Sequence, residues 1–137
     1  MNTINTTNAT NTTNTTNISM NKTYDIHERI YKFIVRVIIL VNKLPKTPSN
    51  LVIIAQILKS VTSMGANDQE ADGTLTKKDF VNKFGIVRKE NKETNFWLRL
   101  IADTNSHKIG EEALELLKEG KELVLIISSI LNKSRAK

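Results

Sequence analysis

The chain has 137 residues, no cysteine and only two prolines. Without thiols there is no disulfide frame and no thiolate metal site, and a reducing cytoplasm is the expected location. Glycine is scarce, and none of the five residues belongs to a glycine-rich phosphate loop. No serine sits in a nucleophile elbow, and no histidine forms a recognisable catalytic set with a nucleophile, so an enzyme is not expected. Long apolar runs are missing too. The most apolar stretch, Phe33–Val41, is nine residues long and contains Arg36, whereas a membrane span needs about 20 apolar residues. The first residues lack the basic-then-apolar layout of a signal peptide.

What is present is enough for one domain with one core. The formal charge is +6, from 20 basic and 14 acidic residues. Lys22 is the only charge before Asp25, so residues 24–137 keep 19 basic and 14 acidic residues, +5. A moderately basic domain suits an acidic partner such as nucleic acid. It suits ordinary solubility equally well.

Residues 2–19, NTINTTNATNTTNTTNIS, are almost all Asn and Thr. They carry no charge and bury little, so residues 1–23 are expected to form a disordered tail. Matches to the N-glycosylation pattern, such as Asn5-Thr6-Thr7, bear only on a secreted protein. From Tyr24 the pattern changes. Ile26, Ile30, Phe33, Val37, Leu40 and Leu44 recur at spacings of four and three, one face of a helix. Tyr31, Ile34, Val35, Ile38 and Ile39 make much of the remaining surface apolar as well. A helix apolar on most sides must be buried on most sides. A single bundle usually buries one stripe per helix, so this helix is expected to meet another subunit.

Pro45 and Pro48 break that helix. Ser49 or Asn50 is placed to cap the second, with Leu51, Ile54, Leu58, Val61 and Met64 as its buried face. It is expected to run to about Asp72, with Gly73 in left-handed geometry as the stop. Thr76-Lys77-Lys78-Asp79 resembles a capping box for the third helix. Phe80, Phe84, Val87, Asn91, Thr94, Leu98 and Ile101 form its seam, and it ends near Asn105. The fourth runs from about Gly110 to Lys133. Ala113, Leu116, Leu117, Leu123, Val124, Ile127, Ile130 and Leu131 form its inner face. Four helices with short connections predict an all-α, antiparallel up-down-up-down bundle over residues 24–137.

Two groups of residues are candidates for function. Lys77, Lys78, Lys83, Arg88, Lys89, Lys92 and Arg99 crowd the third helix against Asp79, Glu90 and Glu93, a net charge of +4. Such a surface binds phosphates without sequence preference. No aromatic interleaving is evident, so base stacking is not expected. Alternatively the cluster pairs with the fourth helix, whose Glu111–Glu122 segment nets −3. The second group is polar where a core is expected: Ser63, Asn67 and Glu70 on the second helix, Glu90, Asn91 and Thr94 on the third. A two-metal carboxylate site would want a Glu-x-x-His pair, and the sequence has none. A hydrogen-bonded network that fixes helix register is the expectation, with no metal and no cofactor. His27 and His107 are expected at the surface or at caps. Gly65 and Gly85 lie inside helices at a cost of about 1 kcal/mol each, which close approach of another helix or subunit would explain. Trp97 is expected to anchor the core or an interface.

Beyond these patterns, the chain resembles the small four-helix bundle proteins encoded by intervening sequences of bacterial large-subunit ribosomal RNA genes. The matching positions are Tyr24-Asp25, Arg29, Leu44-Pro45, Gln56, Thr62-Ser63-Met64-Gly65-Ala66-Asn67, Glu70-Ala71-Asp72, Lys77-Lys78-Asp79-Phe80, Gly85-Ile86, Lys89-Glu90, Lys92-Glu93-Thr94 and Trp97-Leu98-Arg99. The resemblance implies a bundle that assembles into a ring, commonly a homopentamer. A related group serves as the accessory protein of diversity-generating retroelements and binds reverse transcriptase and nucleic acid. The combined expectation is a cytoplasmic, non-enzymatic homo-oligomer that binds RNA or DNA through the third helix. The alternative is an adaptor that docks a protein, such as a reverse transcriptase, without touching nucleic acid.

Overall fold

The computed structural model of the chain describes residues 21–136. The tail expected over residues 1–23 falls, up to residue 20, outside the described residues. Among those described there are four helices and no strand: α1 Asn21–Asn42, α2 Pro48–Asp72, α3 Lys77–Thr104 and α4 His107–Ala136.

Cross-helix pairs fix the directions. His27 meets Asp68, and Ile34 lies against Gly65. Asn50 meets Asn105, Ser60 meets Thr94, and Lys83 meets Glu70. Arg88 meets Ser128 and Ala102 lies against Gly110; Arg29 meets Glu119, and Lys43 meets Glu112. In every helix pair one number rises as the other falls, so all four neighbouring pairs are antiparallel. Each helix packs on its two neighbours and not across the diagonal, with α4 closing on α1. This is an up-down-up-down bundle.

Local chemistry explains the breaks. α1 ends at Asn42, ahead of the two prolines. Thr47, rather than Ser49 or Asn50, caps α2: its hydroxyl accepts from the Asn50 backbone N–H at 3.2 Å, and Pro48 occupies the first helical turn. Asn50 is instead buried, and its carboxamide pairs with that of Asn105 at 2.9 and 3.2 Å. Thr76 caps α3 by accepting from the Asp79 N–H at 3.1 Å. Gly73 follows α2 with φ −96°, ordinary right-handed backbone rather than the left-handed geometry expected. α4 begins at His107, three residues earlier than the sequence pattern implies.

The core fills the centre with Phe33, Leu40, Ile57, Met64, Phe84, Leu98, Leu123 and Ile127. Each such side chain contributes about 1.5–3 kcal/mol by leaving water. The face of α2 differs from expectation. Ile53, Ile57, Val61 and Met64 are buried together with the polar Asn50, Ser60 and Asp68, whereas Leu51 and Val52 are exposed, and Ile54 and Leu58 are half-buried toward α1. Hydrogen bonding, not apolar content, sets the rotation of this helix.

α2, α3 and α4 approach one another more closely than α1 approaches its neighbours. Small residues allow it. A Cβ on Gly110 would lie 3.1 Å from the Ala102 carbonyl oxygen. One on Gly120 would collide with the Asn95 carboxamide and stand 3.1 Å from Phe33 Cζ. Gly65 has the close neighbour expected of it, since a Cβ there would stand 2.7 Å from Ile34 Cδ1. Gly85 does not: nothing lies within 4 Å of its Cβ position.

Candidate nucleic-acid interface

The buried residues of α3 are Phe84, Val87, Asn91, Thr94, Leu98 and Ile101, at alternating intervals of three and four. That stripe points the opposite face away from the bundle. Lys78, Gly85, Lys89, Lys92, Phe96 and Arg99 follow one another there at intervals of seven, four, three, four and three. Residues so spaced lie above one another along a helix. At about 1.5 Å per residue the row from Lys78 to Arg99 is roughly 32 Å long.

The seven basic residues singled out from the sequence do not all join this row. Lys78, Lys89, Lys92 and Arg99 are exposed on it, and Lys77 is exposed at the helix start. None of these five makes an ion pair among the described residues. Lys83 lies on the α2 side, where its ammonium pairs with Glu70 at 2.6 Å. Arg88 is drawn toward α4, donating from Nε to the Ser128 hydroxyl at 2.6 Å. Glu112, Glu119 and Glu122 of α4 pair with α1 instead of α3. Arg29 donates to Glu119 at 3.1 and 2.7 Å and to Glu122 at 2.8 Å, and Lys43 pairs with Glu112 at 3.1 Å. The two carboxylates raise the Arg29 pKa further above its already high value. Glu112, Glu119 and Glu122 are thus spent on α1 and Glu111 on His107 of its own helix, and the outer row of α3 keeps its charge.

The aromatic side chain missed in the sequence is Phe96. It is 55% exposed and is the one large hydrophobic of α3 left open among the described residues. Its position four residues after Lys92 and three before Arg99 is the signal that could have found it. The ring rests edge-on against Trp97, with centroids 4.8 Å apart and planes at 72°. Trp97 packs against the core, and its indole N–H donates to Glu93 Oε2 at 3.2 Å.

The polar residues sort into three places. Ser63 donates to Glu90 Oε2 at 3.1 Å, and Asn67 donates to the Ser63 carbonyl at 2.9 Å. Thr94 donates to the Glu90 carbonyl at 2.8 Å, and its hydroxyl lies 2.8 Å from that of Ser60. Asn91, fully buried, donates to the Gly120 carbonyl at 3.2 Å, while its own oxygen is buried without a protein partner. A flipped carboxamide would set that oxygen against the Gly120 oxygen, so the orientation follows from the acceptor it faces. Glu70 lies outside this network, exposed and paired with Lys83.

One polar pair was not expected. His27 is half-buried, with Nδ1 2.8 Å from the buried Asp68 carboxylate and Nε2 3.5 Å from Asp72. The hydrogen bond to Asp68 raises the His27 pKa above its ordinary 6.5, against the opposing effect of burial. Among the described residues no group of three potential ligands is placed to hold a metal ion. No helix among them is long and apolar enough to cross a membrane.

A protein of unknown function from the S23 ribosomal protein family of Bacteroides thetaiotaomicron has a similar crystal structure, at 31% identity and a TM-score of 0.68, covering 77% of this chain and 97% of that one. No curated protein matches. Residues 22–129 match the pattern described as 23S rRNA-intervening sequence protein. The chain belongs to the 23S rRNA-intervening sequence protein family.

Proposed function

We propose that this protein is a non-enzymatic, cytoplasmic homo-oligomer that binds nucleic acid, RNA in the first instance, through the outer face of α3. The observation that carries this reading is the row Lys78, Lys89, Lys92 and Arg99, exposed and without carboxylate partners among the described residues. Natural surfaces usually intersperse charges of both signs, and here Glu90 and Glu93, the carboxylates flanking Lys92, bond to Ser63 and Trp97. A row of cations about 32 Å long on a rigid helix suits a phosphate backbone.

Assembly draws support from a second surface. Tyr31 of α1 is 63% exposed beside α2, Ile39 is 52% exposed in a recess against α4, and Leu51 and Val52 of α2 are exposed as well. Between α1 and α2 runs a groove of ≈ 420 Å³ lined by Ile30, Tyr31, Ile34, Gly65 and Ala66. Covering that apolar surface with another copy repeats each α3 row around a ring of pentamer type, which multiplies a weak single contact. The same surface also favours the alternative, an adaptor that docks a protein partner such as a reverse transcriptase.

Titrating salt against binding of RNA and DNA probes tests the proposal. Four phosphate contacts per subunit give a log–log salt slope of about −3 for a single strand. Lys78, Lys89, Lys92 and Arg99 replaced together by Ala should flatten that slope and leave the fold intact. Binding with no salt dependence, or none below physiological salt, would sink the phosphate reading and leave the adaptor. Sedimentation of the full chain as a 15.5 kDa monomer would sink the assembly.

A further inference from the structure

We propose that the outer face of α3 takes an unpaired strand, with one base stacked on Phe96 while the flanking cations hold its phosphates. This rests on the nucleic-acid reading above and names its ligand class. Scattered exposed hydrophobics need no special reason. Phe96 differs in its company: Lys92 stands four residues before it and Arg99 three residues after it, both exposed and unpaired among the described residues. An apolar ring between two cations is unsuited to an apolar protein core, since the charges would have to be desolvated with it. It matches a single strand, which offers a π-face and a phosphate at every nucleotide. A duplex hides its base faces within the stack and would leave the ring idle.

The setting of the ring agrees. Trp97 holds its edge at 4.8 Å, and Trp97 is itself fixed by the core and by Glu93. A stacking platform gains from such prior ordering, because binding then costs less side-chain entropy. Gly85 is an independent observation on the same row. A helical glycine with nothing within 4 Å of its Cβ position has no reason inside the chain for its weak helix propensity. Eleven residues from Phe96, it leaves bare backbone between Lys78 and Lys89, where a strand can lie close to the helix.

The test uses the full chain and three labelled probes of equal length: oligo(U) RNA, its duplex with oligo(A), and an abasic strand that keeps the phosphates. Phe96→Ala should weaken oligo(U) binding about five- to hundredfold. Duplex and abasic binding, and the sedimentation coefficient, should not change, and Phe96→Trp should keep the wild-type affinity. Unchanged oligo(U) binding in Phe96→Ala overturns the stacking site, as does an equal loss on the abasic strand. A changed assembly state shows Phe96 to be a contact between copies and overturns it too. Loss of binding in Lys92→Ala and Arg99→Ala without an effect of Phe96→Ala removes the stacking site alone. Failure of the wild-type chain to bind any probe at low salt removes the nucleic-acid reading with it.

Discussion

The two faces of α3 obey the same spacing and opposite logic. Inward, Asn91 and Thr94 sit among Phe84, Val87 and Leu98, and each finds a donor or acceptor on the neighbouring helices. Outward, Lys78, Lys89, Lys92 and Arg99 pair with no carboxylate among the described residues, Phe96 lies open, and nothing lies within 4 Å of the Gly85 Cβ position. Apart from the Asn91 oxygen, the inner polar groups are bonded within the chain itself. The outer ones have no such partner among the described residues. A polar residue buried and bonded specifies the fold, whereas a charged residue left unpaired on a rigid element is a candidate for recognition.

Two phenylalanines give the comparison its largest test. Phe84→Ala should cost about 3–5 kcal/mol of stability by opening a cavity, measured by urea unfolding. Phe96→Ala should stay within about 0.5 kcal/mol. Comparable losses would mean that the outer face is structural. Two glycines come next. Gly120→Ala should destabilise by about 1–3 kcal/mol, because the new methyl crowds Asn95 and Phe33. Gly85→Ala should stabilise by about 1 kcal/mol, read as a higher melting temperature. If it also weakens RNA binding, bare backbone at Gly85 serves the ligand. Thr94→Val, nearly isosteric, should cost about 1 kcal/mol by removing the bonds to Ser60 and Glu90. Lys92→Ala, two residues away, should be neutral for stability at the resolution of the measurement.

The smallest expected effect at neutral pH comes from His27, where a charged pair sits half inside the bundle. Its folded pKa is raised above 6.5, chiefly by Asp68. Its contribution is therefore fully present below about pH 6.5 and is lost as pH rises through the higher folded value. Thermal unfolding at pH 6 and pH 8 should show lower stability at the higher pH, and His27→Gln should remove that difference. An unchanged pH dependence in the variant would place its origin in other groups.

Much of the bundle was legible in the sequence, and the exceptions share a cause. The stripes of α1, α3 and α4 follow their apolar residues, so spacing alone locates them. α2 does not follow this rule, because Asn50, Ser60 and Asp68 occupy its inner face while Leu51 and Val52 lie outside. Their burial depends on partners 34 to 55 residues away in the chain, such as Thr94 for Ser60 and Asn105 for Asn50. No local pattern encodes those meetings. The charges of α4 pose the same difficulty. A run of Glu residues can serve either neighbour, and only the observed rotation assigns it to Arg29 and Lys43. Of the two helical glycines for which a close neighbour is expected, Gly65 finds one within the chain and Gly85 does not. Phe96 escaped notice because one aromatic among lysines has no periodicity of its own.

The Asn50–Asn105 pair has a consequence for how the molecule opens. Its two carboxamides bond reciprocally at one end of the bundle and carry no charge at any ordinary pH. The opposite end is closed by His27 and Asp68, which depend on a proton. Loss of that proton therefore weakens one end and spares the other. Backbone amides near His27 and Asp68 should be the first to exchange with deuterium as the proton is lost. Those around Asn50 and Asn105 should exchange only when the whole domain unfolds. The bundle comes apart as a hinge does, from its free edge toward its pin.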